Sequence, residues 1–362
     1  MKNFEEFKEQ FAKDVKAKLE EQGMDVDVKP GKVEKLNESY EAVTVTPVGE
    51  NMGVNLQVNQ FYEAYSDGTS YDQIIDKAAE IATVGIEQKP EFNLSDLTDY
   101  SKMKETLALE VVSSEANKGM LETIPHKDIE DMSVVYRFVL SSDESGRQSV
   151  LVTNQMLDTM GITPEQLHAD ALENAPQLQP LEIKGMSEVL AELMGIEQAE
   201  MMGMTPLAPE DEQMFVASVP DKVHGAGVLA YEDFMEQAKE RAGGDFFILP
   251  SSIHELLIVP DDGNVKLADL EAMVKEVNAT QVAPEDKLTD SVYHYDSKDK
   301  IFELGEKYVE RQAAKEAESS MDKAEEKGSV LSDLKAKKET VAKTPKKDVV
   351  EKTAKSKGGE AI

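Results

Sequence analysis

The sequence contains no cysteine. This absence excludes disulfide bonds, thiolate nucleophiles and cysteine-ligated metal centres. Tryptophan is also absent, and aromatic residues make up only 6% of the chain, which leaves few anchors for stacking nucleobases or sugars. Cysteine-based catalysis is therefore impossible, and base stacking is poorly supported.

Long hydrophobic runs are missing as well. No stretch approaches the roughly 18 consecutive apolar residues that a membrane span needs. The N-terminal stretch MKNFEEFKEQFAKDVKAKLEEQG is charged throughout and lacks the apolar core of a signal peptide. Hydrophobic residues still form 40% of the 362 residues, enough to bury a core. The sequence therefore predicts a cytoplasmic protein that does not associate with membranes.

Positive charge is scarce outside the C-terminal region. The net charge is −33, yet residues 306–362 carry 14 basic and 12 acidic residues, so the first 305 carry 25 basic against 60 acidic. Such a body repels phosphate backbones, which disfavours direct nucleic-acid binding. Two interpretations stay open: the acidity serves solubility, or carboxylates at phosphate-like spacing imitate DNA.

Diagnostic catalytic motifs are absent too. The chain has no G-x-S-x-G elbow, phosphate-binding P-loop, dinucleotide-binding G-x-G-x-x-G or zinc-binding H-E-x-x-H. The HELLI stretch has Ile258 where the second histidine of the zinc motif must fall, and HGAG, which begins at His224, is typical of a flexible turn. We therefore assign no catalytic, cofactor-binding or metal-binding residue.

Hydrophobic periodicity predicts an α+β protein with mixed or antiparallel sheets flanked by helices in two or three lobes. Predicted helices include residues 4–22, capped at the far end by Gly23, residues 70–84 with Ser70 as cap, a helix from Thr163 that Pro176 stops, and residues 231–244, 264–279 and 297 onward. Predicted strands are residues 40–48, 53–65, 106–113, 132–142, 149–157, 214–220, 227–231 and 291–296.

These patterns suggest a division into domains. We predict an N-terminal helix–hairpin–helix lobe over residues 1–95, and an α+β main domain over residues 96–300 with a methionine-rich insertion at 177–213. A C-terminal helix over residues 301–327 and a disordered, lysine-rich tail over residues 328–362 follow.

The stretch GGDFFILPSSIHELLIVPDDG, residues 243–263, places a polar cluster of Ser251, Ser252, His254 and Glu255 between two apolar runs. If this segment is a strand, its period of two points His254 and Glu255 to opposite faces and leaves Ser252 and His254 about 7 Å apart. That spacing favours a buried hairpin with a polar turn over a catalytic dyad. The turn from Pro250 to His254 remains the best single place for a site.

Five of the 17 methionines fall within residues 186–204. Methionine fills irregular gaps and also makes adaptable binding surfaces. This segment is either a flexible insertion over the core or a soft groove for a partner helix.

Three phrases together resemble an uncharacterised family of bacterial proteins from clostridial-type Firmicutes, known as a domain of unknown function. They are VNQFYEAYSDGTSYDQII at residues 58–75, VTNQMLDTMGITPEQLHADALENAP at 152–176, and GGDFFILPSSIHELLIVPDD at 243–262. The last two are also similar to a broader bacterial family of unknown function. The resemblance implies the fold outline and a cytoplasmic bacterial setting, and it adds no chemistry.

Three hypotheses for the function follow. The first is a non-enzymatic protein-binding or regulatory module, with its partner held through the methionine-rich segment. The second is an acidic DNA mimic of the anti-restriction type, and the third is a hydrolase that uses Ser252, His254 or His294. Only the last requires a chemical site.

Overall fold

The computed structural model describes residues 3–50, 52–88, 96–143, 146–203, 205–250 and 252–317. It shows an α+β fold with three antiparallel sheets, so the predicted fold class is confirmed. The chain divides into one unit of residues 1–305 and a second of residues 306–362, and residues 306–317 of the second unit are helical. The predicted disordered tail lies outside the described residues, and the predicted domain division stays a prediction.

The helices of the first unit are numbered in chain order. They are α1 Phe4–Glu21, α2 Val58–Ser66, α3 Tyr71–Glu87, α4 Tyr100–Met103, α5 Lys118–Leu121, α6 Asn154–Met160, α7 Pro164–Leu178, α8 Met186–Met194, α9 Ile196–Met201, α10 Phe234–Ala242 and α11 Leu267–Thr280.

The strands are numbered in the same way. They are β1 Val26–Lys35, β2 Glu38–Pro47, β3 Val54–Gln57, β4 Leu107–Ser113, β5 Lys127–Ile129, β6 Met132–Asp143, β7 Gly146–Leu151, β8 Glu182–Gly185, β9 Phe215–Ser218, β10 Phe246–Leu249, β11 Leu256–Pro260, β12 Tyr293–Asp296 and β13 Ile301–Leu304.

The N-terminal sheet has the order β1-β2-β3 and packs against α1, α2 and α3 around a core of its own. Helix α1 buries the predicted stripe of Phe7, Phe11, Val15 and Leu19, and the Ser70 side chain caps α3 as expected. Strand β1 was not predicted, because VDVKPGKVEK is charged and mostly exposed and pairs along its whole length with β2 alone.

The predicted strand over residues 53–65 was wrong beyond Gln57. Residues from Val58 to Ser66 form α2, whose aromatic rings pack on α1, with Phe61 5.0 Å from Phe11 and Tyr65 5.4 Å from Phe7 between ring centroids. The prediction failed because the apolar residues of this segment recur at intervals of three and four, which is typical of a helix, and also alternate with polar residues, which is typical of a strand.

The other two sheets share the largest hydrophobic core. One joins β4, β6, β5 and β7, and the other has the order β13-β12-β10-β11-β9-β8. Helices α7 and α10 contribute Leu167, Phe234 and Ala238 to this core. The predicted cap of α7 at Thr163 is confirmed, but Pro176 lies inside its last turn instead of ending it.

Three other boundary predictions were wrong because tertiary contacts override the local pattern. The predicted strand at residues 227–231 is part of a 3-10 turn, Gly225–Ala230. The predicted helix from Ser297 begins only at residue 305, since Ile301–Leu304 pair with β12. The strand predicted over residues 149–157 ends at Leu151 and gives way to α6.

The 3-10 turn depends on glycine. A Cβ atom on Gly227 would overlap the backbone carbonyl oxygen of Leu109, and one on Gly225 would overlap the Ser218 hydroxyl and the His254 carbonyl oxygen. Glycine therefore lets the turn lie directly against β4. His224, the residue just before the turn, is thereby placed next to Glu110 of β4.

Candidate functional site

The predicted hairpin is confirmed, since β10 and β11 pair antiparallel from Phe246–Pro260 to Leu249–Leu257. Strand β11 begins only at Leu256. His254 therefore lies in the connecting loop, and the strand period used to separate it from Glu255 does not apply. Ser251 lies outside the described residues.

Ser252 and His254 are neighbours, but not as a nucleophile and its base. The Ser252 hydroxyl accepts a hydrogen bond from the backbone N–H of His254 at 3.0 Å. The His254 imidazole bonds elsewhere: Nδ1 accepts from the backbone N–H of His224 at 3.3 Å, and Nε2 lies 3.1 Å from Oδ1 of Asp286. Glu255 is half-buried, and its carboxylate takes no part in these bonds.

A second histidine–carboxylate pair lies beside the first. Nδ1 of His224 is 2.9 Å from Oε1 of Glu110, and Nε of Arg137 is 2.6 Å from the same oxygen. The rings of His224 and His254 stand edge to face with centroids 5.7 Å apart. Glu110, Arg137, His224, His254 and Asp286 are called the histidine–carboxylate cluster below.

The cluster is built around a buried charge. Glu110 is only 4% exposed. Burial alone raises its pKa, but the hydrogen bond from His224 and the positive charge of Arg137 outweigh burial and hold the pKa below its ordinary value. Oε2 of Glu110 is buried without a hydrogen-bond partner among the described residues. Both the ion pair and His224 are thus needed to keep this carboxylate inside the protein.

A carboxylate that orients an imidazole is also the arrangement used in acid–base catalysis. Here the nearby hydroxyls are bonded to the backbone: Ser218 donates to the His254 carbonyl oxygen at 2.7 Å, and Ser252 accepts as described. Within the described ranges, no serine or threonine hydroxyl is hydrogen-bonded to the imidazole of His224 or His254. The geometry thus supports a structural clamp between β4, β6 and the loops that carry the histidines.

His294, the third histidine of the hydrolase hypothesis, belongs to a different pair. It is fully buried on β12, opposite Phe247 of β10, and its Nε2 is 3.1 Å from Oδ2 of Asp261. Burial lowers its pKa, and the neighbouring carboxylate of Asp261 offsets only part of that effect. The structure brings Ser252 and His254 together but gives His294 separate partners.

Four members of the cluster were missed by the sequence reasoning. Glu110 and Arg137 carried a signal, because Glu110 is the one charge in β4 and Arg137 interrupts an apolar run of β6, and opposite charges in two neighbouring buried strands favour a pair. His224 was interpreted as part of a flexible turn. Asp286 lies in a polar loop where one acidic residue among many carries no signal.

Two cavities are lined by residues outside this cluster. One of about 640 Å³ lies between the tip of the β1–β2 hairpin and α5, and one of about 600 Å³ is lined by Asp131, Thr289 and Ser291 among others. The hydroxyls of Thr289 and Ser291 each donate to Asp131 at 2.9 Å, and Tyr293 donates to it as well. These polar groups thus satisfy one another.

Within the described ranges, no group of three or more His, Asp or Glu side chains could hold a metal ion. The same ranges contain no helix with the length and apolar character needed to cross a bilayer.

The methionine-rich segment forms helices with apolar side chains on the outside. Strand β8 leads into α8 and α9, which bury only Val189, Ala191 and Ala199. Six of the eleven exposed large hydrophobic residues of the described chain fall within residues 190–207. They are Leu190, Leu193, Ile196, Met201, Met202 and Leu207, with exposed fractions from 48% to 82%. These six side chains are called the α8–α9 surface.

The two ends of this segment are tied together. The Ser187 hydroxyl accepts from the backbone N–H of Leu207 at 2.8 Å and donates to the Glu212 carboxylate. Glu212 also accepts from the backbone N–H of Ser187 at 3.3 Å. The start of α8 and the return to β9 are therefore held together at one point.

Comparison with known families assigns the chain to a protein family. Residues 4–297 match the model of a family of unknown function, DUF5688, so the protein belongs to that family. This agrees with the resemblance to an uncharacterised family drawn from the sequence. Searches of curated proteins and of solved structures gave no match.

Proposed function

We propose that this protein is a non-enzymatic binding module that holds another protein against the α8–α9 surface. The observation that carries the proposal is the concentration of exposed large apolar side chains in residues 190–207. Single exposed apolar residues are normal on any protein, whereas a clustered set is typical of an interaction site.

The energetics favour this role. Leu193 is 71% exposed and Met201 is 82% exposed, and burial of apolar surface stabilises a complex by about 25 cal/mol per Å² before the costs of association. Methionine and leucine side chains adapt to the shape of a partner. The sheet behind α8 supplies a rigid support, since β8 pairs with β9 over four residues.

The proposal keeps the cytoplasmic, bacterial setting expected from the sequence. Proteins captured from a native bacterial lysate by the full-length chain are compared with those captured by a Leu193→Ser, Ile196→Ser double variant. A matched control replaces two other exposed apolar residues on one helix face, Ile81 and Val84 on α3, with serine.

We expect the partner to bind the wild type and the α3 control and to be lost from the α8–α9 variant. Equal capture by all three proteins, or loss from both variants, contradicts the proposal. Sedimentation velocity on the same proteins distinguishes a foreign partner from self-association.

A further inference from the structure

Resting on the proposed function, we infer that the partner presents a cationic amphipathic helix to the α8–α9 surface. The inference depends on the charges that surround this surface. Residues 186–212 contain seven acidic residues and no lysine or arginine. Within this segment, the only charged neighbours that the apolar side chains have along the chain are thus negative.

The acidic border stands next to the apolar residues along the chain. Glu192 precedes Leu193, Glu197 follows Ile196, and Glu200 precedes Met201. Glu192, Glu197 and Glu200 are all exposed. Glu192 has one cationic neighbour, Lys184 at 2.8 Å, which comes from β8. Most of the border therefore retains negative charge that a binding partner can complement.

This combination selects among possible occupants. An anionic membrane surface is repelled by the carboxylates, although apolar side chains alone would suit it. A second copy of this strongly acidic chain would bring like charges together. A helix with leucine-type residues on one face and lysine or arginine on the other matches both features at once.

The lengths of α8 and α9 also suit a helical partner. Leu190 and Leu193 lie one turn apart on α8, so their side chains lie on the same face. Nine residues give α8 a length of about 13 Å and α9 follows after Gly195, which has a positive φ of 85°. A partner helix of about three to four turns is long enough to follow both.

The test uses a defined probe rather than an unknown partner. A fluorescent leucine–lysine peptide of about 18 residues, patterned to form one apolar and one cationic face, is titrated with the full-length protein and followed by anisotropy. One control peptide has the same composition in scrambled order. A second keeps the apolar face and replaces lysine with glutamate.

We expect the patterned cationic peptide to bind and both control peptides to bind about tenfold or more weakly. The Leu193→Ser, Ile196→Ser variant should lose a similar factor, and the α3 control variant should not. A Glu197→Gln, Glu200→Gln variant should bind more weakly and show a smaller loss of affinity when salt is raised, because two of the attracting charges are gone.

Binding that is equal for the cationic and the glutamate peptide overturns the charge inference. Binding that survives the Leu193→Ser, Ile196→Ser change places the peptide elsewhere and also overturns it. If the lysine-rich residues 328–362 are the natural occupant, their deletion raises peptide affinity, which overturns an external partner. A lysate partner that depends on Leu193 while the cationic peptide fails to bind leaves the proposed function standing and removes only the partner class.

Discussion

The histidine–carboxylate cluster and the α8–α9 surface depart in opposite ways from the usual placement of side chains, in which proteins bury apolar side chains and expose charged ones. The cluster buries a charged carboxylate, Glu110, whereas the surface exposes leucine, isoleucine and methionine. The buried charge is compensated inside the molecule by Arg137 and His224. The exposed apolar side chains have no comparable compensation within the described residues, and the proposed function assigns that role to a partner.

This difference separates structure from function. A buried charge that has partners from other elements is tolerated by the fold, and removal of one partner destabilises the protein because the remaining charge is left buried and unpaired. Exposed apolar side chains without such partners lower solubility and are retained where they bind something. Changes in the cluster are therefore expected to alter stability, and changes in the surface to alter binding.

The largest effect on stability is expected from Arg137→Met. This change removes the cation from a buried ion pair and leaves Glu110 with His224 alone, which should lower the free energy of unfolding by about 3–5 kcal/mol. Urea unfolding followed by circular dichroism measures the loss. A decrease below about 1 kcal/mol would show that Glu110 does not depend on Arg137.

A somewhat smaller effect is expected from Gly227→Ala. The new methyl group meets the backbone of β4, which cannot rotate away, so overpacking should lower stability by about 1–3 kcal/mol. Gly244→Ala is the matched control, because a Cβ atom there meets nothing within 4 Å. If both variants melt at the same temperature, the 3-10 turn does not pack on β4 as described.

Acid should reveal the charge of Glu110. Its folded-state pKa lies below the ordinary value of 4.5, so the carboxylate stabilises the folded state above that pH, and this contribution is lost as the pH falls through the folded-state pKa. We expect the stability advantage of the wild type over Glu110→Gln to narrow between pH 7 and pH 3. A constant difference across this range would contradict a charged Glu110.

The smallest effect on stability is expected at the surface. Leu193→Ser with Ile196→Ser should change the free energy of unfolding by no more than about 0.5 kcal/mol, because exposed side chains contribute little to the fold. The same urea experiment checks this value. A loss as large as that of Gly227→Ala would mean that these residues pack inside the protein and form no binding surface.

The sequence predicted elements whose pattern is local. The amphipathic stripe of α1, the cap of α7 at Thr163 and the hairpin from Phe246 to Pro260 all follow from spacing and turn residues, and each is confirmed. Strand β13 was not predicted, because the local pattern of Ile301 to Leu304 fits a helix and these residues form a strand only through pairing with β12.

For the candidate site, too, only local features could be predicted from the sequence. The methionine-rich segment was recognisable from composition, although its exposure was not. The cluster was not recognisable, because Glu110 and Asp286 are 176 positions apart in the sequence and meet the two histidines only through the folded loops. Sequence periodicity reports which face of an element is apolar, and it does not report which loops meet.

The central claim is that the exterior of α8 and α9, and not the polar interior, is the working part of this protein. Methyl NMR on methionine-labelled protein tests it most directly, since Met201 and Met202 lie on the surface while Met103 and Met132 are buried in the main core. On addition of the patterned leucine–lysine peptide, the account predicts that the Met201 and Met202 signals shift while those of Met103 and Met132 stay unchanged. Unmoved signals from Met201 and Met202, or equal shifts at all four positions, would contradict it.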